Sequence, residues 1–122
     1  MSSASSSSLS ETDIARINRW LRQKNARIPP HARDVVRIEA DFEGRSVTIV
    51  ECRPPWDPER MRPEWTRLPV ARLRYTKARQ EWALYWADRN SDFHRYDPAQ
   101  PTSDIVALLD EIDRDPTSIF WG

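Results

Sequence analysis

Hydrophobic residues recur at helical spacing near both ends of the chain. The first stripe consists of Ile14, Ile17, Trp20 and Leu21. Ser10 precedes this stripe, Asp13 stands three residues later as in a capping box, and a proline pair follows at residues 29–30. Because serine caps helix N-termini and proline ends helices, the pattern predicts a helix that begins after Ser10 and ends before the prolines.

A second stripe predicts a C-terminal helix. Its members are Ile105, Leu108, Leu109 and Ile112, at i, i+3, i+4 and i+7. We expect Thr102 or Ser103 as the N-cap, with Asp104 in the first turn. Pro116 is the stop signal. The apolar end, residues 119–121, is interpreted as a lid on the core, with a recognition peptide as the alternative.

Between the helices the apolar pattern changes to a period of two, which predicts strands. Residues 35–53 alternate on both sides of Gly44 and therefore predict a hairpin. A two-residue turn at Glu43 and Gly44 would pair Ile38 with Ile49. A slip by one residue would place Ile38 opposite a threonine and mix apolar with polar positions, so burial favours the first pairing.

Three further strands are predicted as a meander over residues 69–76, 81–87 and 93–96. Pairing across the first turn predicts one apolar face, made of Ala71, Leu73, Tyr75, Trp82, Leu84 and Trp86. Arg72 then lies across from Tyr85 on the opposite face, where the two side chains can stack by cation–π attraction.

The register of the last strand stays open at this point. Either His94 and Tyr96 face the core, or Phe93 and Arg95 do. Residues 54–66 hold four prolines and predict an irregular loop, whose two tryptophans, Trp56 and Trp65, are expected to pin it onto the core.

These elements predict an α+β fold. We expect an antiparallel sheet of about five strands, a hairpin plus a three-strand meander, with an N-terminal and a C-terminal helix packed on one face. Residues 1–10 are rich in serine and are expected to form a disordered leader. Residues 11–122 are expected to form a single globular domain.

The net charge of zero hides a segregated distribution along the chain. Residues 14–33 carry six basic and no acidic side chains (+6), and residues 34–59 carry three basic and seven acidic (−4). Residues 60–89 carry eight basic and three acidic (+5), and residues 90–122 carry two and seven (−5). This pattern predicts either a polarised surface or pairing between segments.

The sequence lacks the residues that several kinds of functional site require. The single cysteine, Cys52, excludes an internal disulfide and a cysteine zinc cage, and it is interpreted as an apolar filler. With two glycines in the chain, no phosphate-cradling glycine loop is present. His31 and His94 have no partners at metal-ligand spacing, and we expect His94 to be a hydrogen-bonded packing residue. No cofactor and no metal are therefore predicted.

No apolar run approaches the roughly 20 residues that cross a bilayer, and the serine-rich start lacks the features of a secretion signal. We expect a cytoplasmic protein without a membrane partner.

One enzymatic alternative comes from the predicted hairpin. Asp41 and the run Glu51-Cys52-Arg53 superficially resemble the metal-binding hairpin of restriction-type nucleases, with arginine in place of lysine. Metal-dependent hydrolysis needs both carboxylates at one ion. The predicted register places Asp41 and Glu51 on opposite faces, which leaves hydrolysis a distant third alternative.

Three stretches resemble a bacterial family of unknown function, catalogued as family 3024. They are VVRIEADFEGRSVTIVECRPPW, ARLRYTKARQEWALYWADRNSDFHRYD and the closing DPTSIFWG. The likeness spans residues 33–122. It implies a small stand-alone bacterial domain and provides no catalytic residues.

The residues themselves favour a binding module over an enzyme. The candidate partner-binding residues are Arg72, Arg74, Lys77, Arg79 and Tyr85. A protein partner or a second copy of the chain is our first choice, because segregated charges suit the docking of unlike surfaces. Single-stranded nucleic acid is the alternative, since sheet surfaces bind it with cations and rings. A solvated basic face without a partner is the remaining possibility.

Overall fold

The computed structural model describes residues 9–32, 35–54 and 65–121. The elements are α1 (Glu11–Ala26), a 3-10 turn (Pro30–Ala32), β1 (Arg37–Glu43), β2 (Ser46–Arg53), β3 (Thr66–Thr76), β4 (Glu81–Ala87), β5 (Phe93–Arg95) and α2 (Ile105–Arg114). The strands form one antiparallel sheet in the order β1-β2-β3-β4-β5. The predicted α+β class, the hairpin and the meander are confirmed.

Buried residues of both helices and of all four longer strands form one hydrophobic cluster. Two tryptophans tie the elements together through their indole N–H groups. Trp20 of α1 donates to the Asp113 carboxylate of α2 at 3.0 Å, and Trp82 of β4 donates to Asp13 of α1 at 2.9 Å. Leu9, 7% exposed, also belongs to this core. That both helices pack on one face of the sheet stays a prediction.

The N-terminal helix begins as predicted, and the C-terminal one begins differently. The Ser10 hydroxyl accepts the Asp13 N–H at 3.1 Å. At α2 the predicted cap is wrong, because Asp104 is the N-cap and accepts from Val106 N–H. Thr102 is instead used in the sheet, where its backbone forms a bridge with Trp82.

The register of the first hairpin differs from the prediction by two residues. Glu43 pairs with Ser46, so the turn consists of Gly44 and Arg45, and Ile38 faces Glu51 instead of Ile49. Gly44 takes a φ of 59°, which suits the first loop position of a primed two-residue turn. A shift by two leaves every side chain on its predicted face.

The predicted pairing of the meander is confirmed. Leu73 faces Leu84, and Arg72 faces Tyr85. The strand β3 begins at Thr66, three residues earlier than predicted, and its register with β2 shifts between Ile49 and Val50. The extra residue at this irregularity is Val70, which is buried in the core.

The pairing of β5 with β4 decides which residues of the last strand face the core, a choice that the sequence left open. Trp86 pairs with His94 and Tyr85 with Arg95, so His94 lies on the Trp86 side and Arg95 on the Tyr85 side. Tyr96 is 2% exposed and donates to the Glu111 carboxylate at 2.8 Å. Burial, followed by this hydrogen bond, raises the pKa of the Tyr96 phenol.

The predicted lid at the end of the chain is confirmed. Phe120 is buried and lies 4.9 Å from the Tyr96 ring. The Asp115 carboxylate accepts the N–H groups of Phe120 and Trp121, at 3.0 and 2.8 Å. Trp65 is half-buried beneath the Arg37 guanidinium, at 4.1 Å, while Trp56 lies outside the described residues. Among the described helices, none is long and apolar enough to cross a membrane.

Candidate functional site: the polar face of the sheet

One row of side chains crosses the whole sheet on the side opposite to Leu73 and Leu84. Its members, one from each strand and each paired with the next, are Asp41, Thr48, Arg72, Tyr85 and Arg95. We call this side the polar face. Its charge changes along the row from a carboxylate on β1 to guanidinium groups on β3 and β5.

On the β1 side of the polar face, the charges neutralise one another. We call this set the paired cluster, and its members are Arg37, Glu39, Asp41 and Arg67. Arg67 donates to Asp41 and, at 2.6 Å, to Glu39, and Arg37 contacts the same Glu39 at 2.7 Å. Hydrogen bonds first to Asp41 and then to Glu39 raise the pKa of Arg67, so it stays charged at any working pH.

Cys52 lies beneath the paired cluster and has no exposed surface. Arg67 Nη1 lies 3.7 Å from its sulfur. Burial, and next the charge of Glu39, raise the pKa of the thiol above its usual value. Cys52 is therefore buried, as expected for a filler, but it accepts a hydrogen bond from Arg67 and does not belong to the hydrophobic cluster of the core.

Across the face, Arg72 is held in place, and no carboxylate among the described residues pairs with it. Its Nε donates to the Thr48 hydroxyl at 3.0 Å, and its guanidinium carbon lies 4.0 Å from the centroid of the Phe93 ring. The predicted stacking of Arg72 on Tyr85 is therefore wrong, although the two residues are paired. Ala87, which pairs with Phe93, is too small to separate Arg72 from that ring.

The other predicted residues lie beside Arg72. Arg74 is exposed on the same face and pairs with Ala83. Lys77 and Arg79 are exposed in the turn that follows β3. Tyr85 is half-buried, and its ring centroid lies 5.9 Å from the Arg95 guanidinium.

Two residues of this surface were missed by sequence reasoning. Phe93 and Arg95 lie on the polar face because of the β4–β5 register, which the alternation alone left ambiguous by one residue. The buried Tyr96 is the signal that decides it, since neighbours in a strand point to opposite faces. We call the resulting set the basic patch, and its members are Arg72, Arg74, Lys77, Arg79, Tyr85, Phe93 and Arg95.

The segregated charges pair only in part. Asp113 of the acidic C-terminal segment contacts Lys24 at 2.8 Å and Arg27 at 3.8 Å, which ties it to the basic N-terminal segment. Glu39 and Asp41 are taken by Arg67. Within the part of the chain that the structure describes, no ion pair reaches any cation of the basic patch.

A cavity of about 270 Å³ lies between the paired cluster and the basic patch. Asp41 and Glu43 are on one side of it, Arg72 and Phe93 on the other, and the Thr48 hydroxyl between them. The two halves of the polar face therefore meet at a depression that both acidic and basic side chains line.

The carboxylates of the hydrolase alternative are not brought together. Asp41 is on the polar face with Arg67, while Glu51 lies on the opposite face, 3.1 Å from Arg53. Residues 9–32, 35–54 and 65–121 contain no group of three or more His, Cys, Asp and Glu side chains placed to hold a metal ion. The predicted separation of the two carboxylates is confirmed.

His94, the middle residue of β5, is hydrogen-bonded and packed against a neighbouring ring, as predicted. Its Nε2 lies 2.7 Å from the Asp88 carboxylate, and its ring packs 4.6 Å from Trp86. The hydrogen bond with His94, followed by the Asp92 N–H, lowers the pKa of Asp88. Asp88 thus fixes the turn that positions Phe93 at the border of the basic patch.

Comparison with known proteins gives a family without an assigned activity. The profile described as Domain of unknown function (DUF3024) matches residues 5–122, which includes α1 as well as the sheet and α2. No curated protein and no solved structure matches the chain. Since the match covers nearly the whole sequence, the chain belongs to the DUF3024 family.

Proposed function

We propose that this domain is a non-enzymatic protein-interaction module whose basic patch contacts an acidic surface, on a partner protein or on a second copy of the chain. One observation carries the proposal. The same sheet face that pairs Arg37 and Arg67 with carboxylates leaves Arg72 and Arg74 without a carboxylate among the described residues.

The orientation of Arg72 supports binding. The Thr48 hydroxyl accepts from Nε and the guanidinium lies over the Phe93 ring, so the group is held in place although no carboxylate among the described residues pairs with it. A cation that is already oriented loses less side-chain entropy when it meets a carboxylate. Lys77 and Arg79 extend the same charge along the adjacent turn and favour rapid encounter with an acidic partner.

Self-association has a specific support. An isologous dimer needs a surface that is complementary to itself. The polar face runs from the carboxylates of β1 to the cations of β3 and β5 within one row. A second copy turned by half a revolution would bring Glu43, the β1 carboxylate without an ion pair among the described residues, towards the basic patch.

Single-stranded nucleic acid is the second candidate, and the aromatic rings favour it. Tyr85 and Phe93 stand on a sheet face beside Arg72 and Arg95, as stacking platforms and phosphate contacts do in sheet-surface recognition. Arg72 covers one side of Phe93, so Tyr85 is the ring best placed to receive a base. The net charge of zero weighs against this candidate.

Charge reversal on the patch tests the proposal. We compare the double variant Arg72→Glu/Arg74→Glu with Arg19→Glu/Arg22→Glu, which makes the same charge change on exposed positions of α1. Sedimentation velocity measures self-association, and fluorescence anisotropy measures binding of a labelled heptaglutamate peptide. We expect the wild type and the α1 variant to dimerise or bind the peptide, and the patch variant to do neither.

A wild type that is monomeric at all concentrations and does not bind heptaglutamate contradicts the proposal, as do patch and α1 variants that behave alike. For nucleic acid, the probe is an oligo-thymidine. Its affinity must fall steeply between about 50 and about 200 mM salt and disappear in the patch variant. An affinity for oligo-thymidine that does not change with salt concentration would contradict nucleic-acid binding.

A further inference from the structure

The two edges of the sheet differ in how much of their backbone is covered. At one edge, β5 has three residues and pairs with part of β4. The segment that follows β5 covers more of the β4 backbone. Trp82 and Thr102 exchange backbone hydrogen bonds of 2.7 and 3.0 Å, and Tyr96 N–H donates to the Leu84 carbonyl at 2.9 Å. The opposite edge is β1, with seven residues. A long edge strand presents unpaired backbone groups to any extended segment.

Asn25 of α1 shows which backbone groups of β1 point outward. Its side-chain amide donates to the Ile38 carbonyl at 2.9 Å and accepts the Ile38 N–H at 2.8 Å. In an antiparallel ladder, residues that bond the partner strand alternate with residues whose groups point away. Ala40 and Phe42 therefore direct their N–H and C=O groups to the same outer side as Ile38.

The hairpin leads to the same assignment independently. Glu43 and Ser46 flank the two-residue turn, where the closing pair is hydrogen-bonded. Phe42 is then the first outward-facing residue and Ala40 the next. Among the described residues, no hydrogen bond from another element reaches the backbone of Ala40 or Phe42, whereas Asn25 closes the edge at Ile38.

An open surface groove also lies on α1 near this edge. A groove of about 620 Å³ runs along α1, and its walls are formed by Asn18, Leu21, Arg22, Asn25 and Ala26. Because Asn25 both lines the groove and contacts Ile38, the groove borders the β1 edge. The Phe42 side chain of β1 is 43% exposed.

We propose that β1 accepts an extended segment of a partner protein as a sixth strand, and that the side chains of this segment alternate between basic and apolar. Successive side chains of an added strand point to opposite faces. On the polar face they meet Glu43, which has no ion pair among the described residues, beside Glu39 and Asp41, which already contact Arg67. On the other face they lie beside Ala40 and Phe42.

Charge disfavours a second copy of β1 as the occupant. Two copies of β1 could pair edge to edge as antiparallel strands, related by a two-fold axis perpendicular to the sheet. Odd-numbered residues of β1 would then lie opposite odd-numbered residues of the other copy. In each register centred on Ala40, Asp41 or Phe42, at least one carboxylate of β1 would then oppose a carboxylate of the copy, and like charges directly opposite are destabilising. A basic strand removes this repulsion and adds attraction to Glu43, which has no ion pair among the described residues.

Synthetic peptides test the edge without any change to the protein. The probes are labelled heptapeptides of alternating lysine and valine, of alternating glutamate and valine, and a lysine–valine peptide with every second amide methylated. We expect the lysine–valine peptide to bind and the glutamate–valine peptide to bind at least about tenfold more weakly. The methylated peptide should lose binding when its methyl groups occupy the amides that would donate hydrogen bonds to β1.

Two substitutions test the protein side. Ala40→Pro removes an outward N–H and leaves the β1–β2 ladder intact, since edge strands tolerate proline where the N–H faces solvent. We expect it to weaken the lysine–valine peptide by about tenfold. Glu43→Gln should weaken it by about threefold, while the matched control Glu81→Gln on β4 has no effect.

The patch variant Arg72→Glu/Arg74→Glu must still bind the lysine–valine peptide, so this inference and the proposed function fail separately. Equal binding of the two unmethylated peptides overturns the inference. Unchanged binding by a folded Ala40→Pro, checked by circular dichroism, also overturns it. A dimer of the wild type that Ala40→Pro abolishes shows that the occupant is a second copy and overturns the assigned chemistry.

Discussion

The strand β3 carries Arg67 and Arg72 on the same face of the sheet, yet the two arginines have different surroundings. Arg67 faces Cys52 and reaches two carboxylates of β1, although 40% of its side chain is exposed. Arg72 faces Thr48 on one side and Tyr85 on the other and reaches no carboxylate among the described residues. The availability of a cation is therefore set by the cross-strand neighbours that the register supplies.

The strongest consequence of the paired cluster is the protection of Cys52. Since the thiol is buried beneath Arg67 and its pKa is raised, we expect iodoacetamide at pH 8 to modify it at least about 100-fold more slowly in the folded than in the urea-unfolded protein. Mass spectrometry of timed samples measures both rates. Similar rates would show that the cluster does not cover the thiol.

The second prediction compares two alanine substitutions on one strand. Arg67→Ala removes hydrogen bonds to Glu39 and Asp41 and uncovers Cys52, so we expect a loss of about 1–2 kcal/mol in the free energy of unfolding. Arg74→Ala removes an exposed side chain without an ion pair and should stay within about 0.5 kcal/mol. Urea denaturation measures both, and equal losses would remove the distinction between the two regions.

The third prediction concerns the orientation of Arg72. Thr48→Val keeps the shape of the side chain and deletes the hydroxyl that accepts from Arg72 Nε. We expect about threefold weaker binding of heptaglutamate, because the guanidinium must then be ordered during binding. Thr76→Val, at the exposed end of β3, is the control. The hydrogen bond has no orienting role if the two valine variants bind equally well.

The smallest expected effect is the pH dependence at the border of the basic patch. The pKa of Asp88 is lowered on folding, so its contribution to stability is complete above its unfolded value near 4 and is lost as the pH falls through the folded value. We expect Asp88→Asn to flatten the acid limb of the stability curve between about pH 5 and about pH 3. Thermal melts across this range measure the slope, and an unchanged slope would contradict the assignment.

The faces of the strands could be predicted from the sequence, because a period of two fixes which side chains share a face. Leu73 and Trp82 were placed in the core and Arg72 and Tyr85 opposite them by alternation alone. The first hairpin kept its faces even though its turn is one residue later than predicted, since a register shift of two preserves parity. Burial thus determines the faces more firmly than it determines the pairing.

The partners of the charged residues could not be predicted in the same way. Arg67 meets Glu39 only because β3 pairs with β2 after a long proline-rich connection, and that register has no local signal. The two hydrogen bonds between the Asn25 side chain and the Ile38 backbone likewise join α1 to β1. They depend on one side chain, so no periodicity in the sequence predicts them. The stack of Arg72 on Phe93 depended on the register of the last strand, which the sequence left open.

The most direct test of the account is an NMR titration that observes the arginine Nε–Hε groups while heptaglutamate is added. The account predicts that the signals of Arg72 and Arg74 shift with the peptide, while those of Arg37 and Arg67 stay in place because Glu39 and Asp41 already hold them. Shifts confined to Arg37 and Arg67, or no shift at Arg72 and Arg74 at saturating peptide, would contradict it.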